Sequence, residues 1–154
     1  MRSCNNDEWS KGYMNMKPMM RTDFGPEPFV ANIKDEAMRN QFFRTALWTG
    51  TYLQMTLMSI PGCGEIGMEM HPDIDQVIRV EEGQGVVKMG YNKNQMEFQL
   101  KIKQGDAVFV PAGTWHNIMN ATRCPLKLSS IYAPIKHPRG TIHRTKQEAE
   151  ESGY

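Results

Sequence analysis

The sequence predicts an all-β protein, a barrel or sandwich of short strands. From residue 42 onward, short strand-like runs follow one another at regular spacing, separated by glycine- and proline-bearing turns, a pattern typical of sandwiches and barrels. One run shows the alternation directly: Leu53, Met55 and Leu57 alternate with Gln54 and Thr56 before Pro61 and Gly62 end it. With 154 residues the chain is long enough for one domain with a real core.

The elements follow in order. Residues 1–24 mix Met, Asn, Lys and Gly without a clear period and read as an arm. Gly25, Pro26 and Pro28 break the chain, and a helical turn is expected near residues 33–39. Strands are expected at 42–48, 52–60, 66–71 and 76–81. Glu82 to Gly85 form a turn, and 85–90 with 96–103 form a hairpin. Strands at 107–110, 116–120 and 127–132 complete the set. Thr145 and Glu148 make a capping-box pattern that opens a short charged helix to about residue 151.

Composition removes several classes of function. Eighteen basic and 17 acidic residues leave a net charge of +1, which gives no electrostatic case for nucleic acid or an anionic membrane. No apolar run reaches membrane-spanning length. The first residues lack the apolar core of a signal peptide, so the expected location is the cytoplasm. Cys4, Cys63 and Cys124 are widely spaced with no CxxC pair, and three reduced thiols are expected. The 13 methionines are explained as adaptable core filler.

Two groups of residues carry chemistry. Gly105, Pro111, Gly113, His116 and Asn120 stand at offsets 0, 6, 8, 11 and 15. Earlier come Glu69, His71, Gln76 and Gly83, with four residues between His71 and Gln76 and six between Gln76 and Gly83. Together they resemble the two signature motifs of the cupin superfamily, in particular its small single-domain, mannose-6-phosphate isomerase-like barrels. The resemblance covers residues 42–135. The second motif is matched in full. The first departs from the pattern: Glu69 stands where the first histidine is usual, Gln76 where the glutamate is usual, and Cys63, between Gly62 and Gly64, at the leading glycine.

The resemblance implies a double-stranded β-helix (jelly-roll) barrel over 41–135, an N-terminal arm over 1–40 and a tail with a short helix over 136–154. It also implies that Glu69, His71, Gln76 and His116 point into the barrel as ligands of one divalent transition metal. Strand alternation agrees locally, placing Glu69 and His71 on one face and Met68 and Met70 on the other. Two imidazoles, a carboxylate and an amide suit Fe, Mn, Ni or Zn, and the weak amide leaves an open position. Asp73 and Asp75 read as turn residues after Pro72. Trp115 is expected to pack outside the barrel. Arg44 could hold a carboxylate or phosphate of a ligand, and Gln54 is a second candidate for ligand binding. His137 and His143 are expected to be exposed.

The leading functional expectation is a metal-dependent barrel acting on a small oxygen-rich molecule, such as a sugar or sugar phosphate, in an isomerase-like reaction with Glu69, where it is not coordinated, as the base. The alternatives are an Fe(II)-dependent dioxygenase and a non-catalytic barrel that binds a small ligand. The expected partners are a small molecule and a second copy in a homodimer, with neither nucleic acid nor membrane.

Overall fold

The computed structural model describes residues 22–153. Helix α1 (Ile33–Arg39) precedes the strands β1 (Arg44–Thr49), β2 (Gln54–Ile60), β3 (Asp75–Glu82), β4 (Gln84–Gly90), β5 (Phe98–Lys103), β6 (Ala107–Val110), β7 (Trp115–Asn120), β8 (Leu126–Ala133) and β9 (Ile142–His143), and helix α2 (Lys146–Ser152) follows. Six strands form one sheet in the order β6-β3-β8-β2-β1-β9, and three form the other in the order β5-β4-β7. The expected all-β class is what the chain adopts.

The two sheets enclose a single core. Met58, Ile78 and Leu128 from the large sheet meet Val87 and Ile118 from the small one. The register aligns side chains into rows across the large sheet. Arg44 pairs with Met58, and Met58 with Leu128. Thr56 pairs with Ser130, and Gln54 with Tyr132, which in turn pairs with Gln76. The inner face is therefore aliphatic around Ile60, Leu126 and Leu128 and polar around Gln54, Tyr132 and Gln76, all of them buried.

The chain passes from one sheet to the other at Gly83, between β3 and β4. Its φ is +99°, and a Cβ there would meet Pro125 and Leu126 at 3.3 Å, so the corner requires glycine. Asn120, the last residue of the second motif, braces the far end. Its amide nitrogen donates to the carbonyls of Ile60, Pro61 and Cys124, and its Oδ1 accepts from the Thr122 amide.

Helix α1 covers the outer face of the large sheet, burying Ala37 against Leu47 and Leu57. Asn32 caps it by accepting from the Asp35 amide at 3.1 Å. Residues 22–40 of the expected arm thus lie against the barrel, and the rest of the arm is outside the described residues. In α2, Thr145 accepts from the Glu148 amide at 3.2 Å, and the Glu148 carboxylate reaches back to the Arg144 amide at 2.7 Å. That is the expected capping box, with its return bond one residue earlier.

Three expectations change. Residues 66–71 are not a regular strand: only isolated bridges join Glu65 to Met119 and Glu69 to His116. Gly67, at φ +103°, turns the backbone out of the ladder between them. Strand β9 was not foreseen, since two residues are too short to show a period. Cys124 is disulfide-bonded, whereas Cys63 is free and exposed. Separation along the chain carries no information about which thiols meet in space.

Asn120 should be a structural residue. Replacing it with Ala leaves three carbonyls without their donor and should lower the unfolding free energy by about 2–3 kcal/mol, measured by urea denaturation. A loss under ~0.5 kcal/mol would show that water replaces the brace.

Candidate metal centre

Glu69, His71 and His116 come together at the polar end of the barrel. Their donor atoms all lie within 4.8 Å of one another. His116 enters from β7, opposite Glu69, and the two residues exchange both backbone hydrogen bonds, at 3.0 and 2.9 Å. His71 follows two residues after Glu69, and its carbonyl accepts from the Gly113 amide at 2.8 Å. The glycine of the second motif thereby ties the turn after β6 to the segment that carries His71.

The donor atoms are poised for a cation. His116 Nδ1 lies 3.0 Å from the Thr114 carbonyl, so that nitrogen carries the proton and Nε2 keeps its lone pair. His116 Nε2 is buried without a hydrogen-bond partner. His71 Nε2 stands 2.9 Å from Glu69 Oε2. Two donors bound at right angles to one ion at ordinary metal–ligand lengths are separated by about 3 Å. Burial lowers the His116 pKa despite opposing contributions from the Thr114 carbonyl and Glu69, so the ring is neutral at pH 7. Burial alone would raise the Glu69 pKa, but contact with His71 and the charges of Arg44, His116 and His71 hold it below its ordinary value. Two imidazoles beside a carboxylate are a ligand set, and the His116 Nε2 lone pair has no other partner here.

Gln76 sits on the inner face of β3. Its Nε2 donates to Ser130 Oγ at 2.8 Å, and its Oε1 is buried without a partner. The bond to Ser130 orients the amide so that the oxygen is its free end. Arg44 is on β1 and 3% exposed. It lines, with Glu69 and His71, a cavity of about 410 Å³ that Lys136 from the tail and Lys146 from α2 help to wall.

Gln54 has a different job from the one expected. Its Nε2 donates to Thr49 Oγ1 and to the His137 carbonyl, and its Oε1 accepts from the His137 amide, each at 2.9 Å. The side chain is fully buried and clamps the loop that carries His137. Asp75 is a turn brace, accepting from the Ala112 amide at 2.9 Å. Trp115 is partly exposed at the rim of the cavity, with Lys93 Nζ 5.4 Å from its ring centroid.

His137 and His143 are buried, at 2% and 7% exposure, which corrects the expectation that both face solvent. The tail folds back along β1 through β9 and carries both rings inward. His71 and His137 each stand edge-on to Tyr132, at 5.9 and 5.1 Å between centroids. Tyr132 was legible from its parity with Leu128 and Ser130 on β8. No local signal in the sequence marked His137, because its burial depends on the course of the whole tail.

Two antiparallel sheets with imidazoles and a carboxylate turned inward at one end define a small β-barrel with a candidate metal site. Residues 56–132 match the family model described as Cupin domain, and the chain belongs to that family. It is 53% identical to the uncharacterized protein YrkC of Bacillus subtilis (strain 168) over 132 residues, 85% of this chain and 70% of YrkC. It is 36% identical over 126 residues to the uncharacterized protein L612 of Acanthamoeba polyphaga mimivirus, covering 81% of this chain and 77% of that one. The crystal structure of BH2720 from Bacillus halodurans superposes with a TM-score of 0.84 at 55% identity, covering 84% of this chain and 98% of that one.

Burial, reinforced by the charge of Arg44, pushes the His137 imidazole down to about 3. The folded chain keeps this ring neutral where the unfolded chain protonates it. Its contribution to stability is therefore fully present above pH 6.5 and is lost as the pH falls toward 3. Urea unfolding across this range should show a steeper acid loss for the wild type than for His137→Phe. Identical slopes would mean that His137 takes up its proton in the folded chain at the same pH as in the unfolded one.

Proposed function

We propose that this cupin binds one divalent transition metal through Glu69, His71 and His116, with the Gln76 amide oxygen as a weaker fourth ligand, and presents it to a small oxygen-rich molecule. The observation that carries this reading is the convergence of two buried imidazoles on the Glu69 carboxylate, with His116 Nε2 left without a hydrogen-bond partner. Gathering two buried imidazoles beside a half-buried carboxylate without a shared cation would be costly. Imidazoles suit Fe, Ni and Zn, and the carboxylate and amide oxygens also suit Mn.

When bound, the ion supplies Lewis acidity toward an oxygen of the ligand. The protein's own residues do the rest. Thr114 fixes the tautomer of His116, and Ser130 aims the Gln76 amide. Glu69, ionised at neutral pH, is suited to hold a cation or accept a proton and is unsuited to donate one. The walls of the cavity present Arg44 and Lys136 to the ligand. These features support an isomerase-like reaction on a sugar or sugar phosphate. The two-histidine, one-carboxylate donor set specifically favours a second reading, a ferrous dioxygenase.

Elemental mass spectrometry of untagged protein tests the metal. Wild type should carry near one equivalent of a transition metal, and His116→Ala should carry almost none. Gln76→Leu should retain metal with about tenfold weaker affinity. Iron together with ligand-dependent oxygen uptake would select the dioxygenase. Mn or Zn without oxygen uptake would select the isomerase. No metal in wild type, even after anaerobic reconstitution, would leave a metal-free binding barrel.

A further inference from the structure

The charges inside the barrel do not balance, and the imbalance points to the ligand. Arg44 is 3% exposed, its Nε is buried without a partner, and among the described residues no carboxylate lies within ion-pair distance of it. Its one hydrogen bond runs from Nη1 to His143 Nδ1 at 3.3 Å. A guanidinium can only donate, so the neutral ring of His143 is the acceptor and contributes no charge. Glu69 is the carboxylate whose ionisation Arg44 favours, but in the proposed site Glu69 is committed to the metal. A divalent ion and Arg44 then bring three positive charges against one negative charge. A buried cation left in that state is strongly disfavoured.

His137 provides a second, independent sign. Both of its ring nitrogens are buried with no hydrogen-bond partner. Gln54 holds its backbone at both the amide and the carbonyl, and Tyr132 stands edge-on to its ring on the side toward the metal ligands. A side chain fixed this firmly, yet bonded to nothing, is arranged for a partner from outside the chain.

We infer that Arg44 and His137 form an anion subsite beside the metal centre, and that the natural ligand is a small anion whose carboxylate or phosphate group they hold while its other oxygens reach the metal. The inference rests on the metal-binding reading above. It narrows the ligand to a sugar acid or sugar phosphate and excludes a neutral sugar. The Arg44 guanidinium supplies charge and a planar pair of donors. His137, neutral throughout the working range, supplies one N–H. Such a ligand also offsets the excess positive charge.

Isothermal titration of the metal-loaded protein with oxalate, inorganic phosphate and the neutral polyol erythritol tests this. At least one anion should bind wild type roughly tenfold or more tighter than erythritol, and the tighter anion identifies the group held. Arg44→Gln should weaken that anion ~10- to 100-fold, and His137→Phe about 3- to 10-fold. Arg44→Lys keeps the charge but loses the planar fork, so it should weaken binding several-fold. That variant decides the matter if Arg44→Gln does not fold. Metal content should stay near wild type in all three variants, which separates this subsite from the metal centre. Metal-free wild type should still bind the anion more weakly, in an Arg44-dependent way. This arm stands even if no metal binds. Anion affinity unchanged within twofold in both Arg44 variants, or erythritol binding as tightly as either anion, would overturn the inference.

Discussion

A buried imidazole or guanidinium is tolerated only where a partner or ligand meets it. In this barrel such groups are gathered at one end, while the other end is filled with aliphatic side chains. The division follows from register. Along β2, the inward positions run from Gln54 through Thr56 to Met58 and Ile60, and along β8 from Tyr132 through Ser130 to Leu128 and Leu126. The strands are antiparallel, so their polar halves coincide. The aliphatic half supplies the cohesion that allows the polar half to hold unsatisfied donors and acceptors.

A chain of hydrogen bonds carries that polar end outward to the tail. The Asp23 carboxylate accepts from the Thr49 backbone amide and hydroxyl and from the Gly140 amide. Thr49 in turn accepts from Gln54, and Gln54 clamps His137. Segments from both sides of the barrel strands therefore meet on one side of it and fix one wall of the cavity. The stiffness of His137 comes from this chain rather than from its own loop.

Much of this was legible in the sequence. The strand alternation and the Gly/Pro turns gave the class of fold, and the spacing around His116 and His71 marked residues that the fold does bring together. Gly83 was legible as part of a motif, and its role as the corner between sheets explains why that position is glycine. Other features depend on contacts that no local pattern encodes. Gln54 has inward parity, but whether it faces a ligand or a backbone is decided by a loop about eighty residues away. His137 looks like any polar residue between prolines until the tail is seen to fold along β1. The irregular backbone at Gly67 interrupts the third expected strand, because a single positive φ breaks a ladder without altering the alternation around it.

The segment between β2 and β3 holds Glu69 and His71, and scattered backbone bonds at Gly64, Ile66, Glu69 and His71 fasten it to β7 and the turn before it. By contrast, β4 is paired along nearly its whole length with both neighbours. Detaching the segment breaks fewer backbone bonds than separating β4 from its neighbours, so its local opening costs less than unfolding the sheets. Two donors depart together on this ribbon while His116 stays anchored in the small sheet. Exchange of whatever occupies the site is thereby uncoupled from the durability of the core. The barrel can be long-lived while its contents turn over quickly.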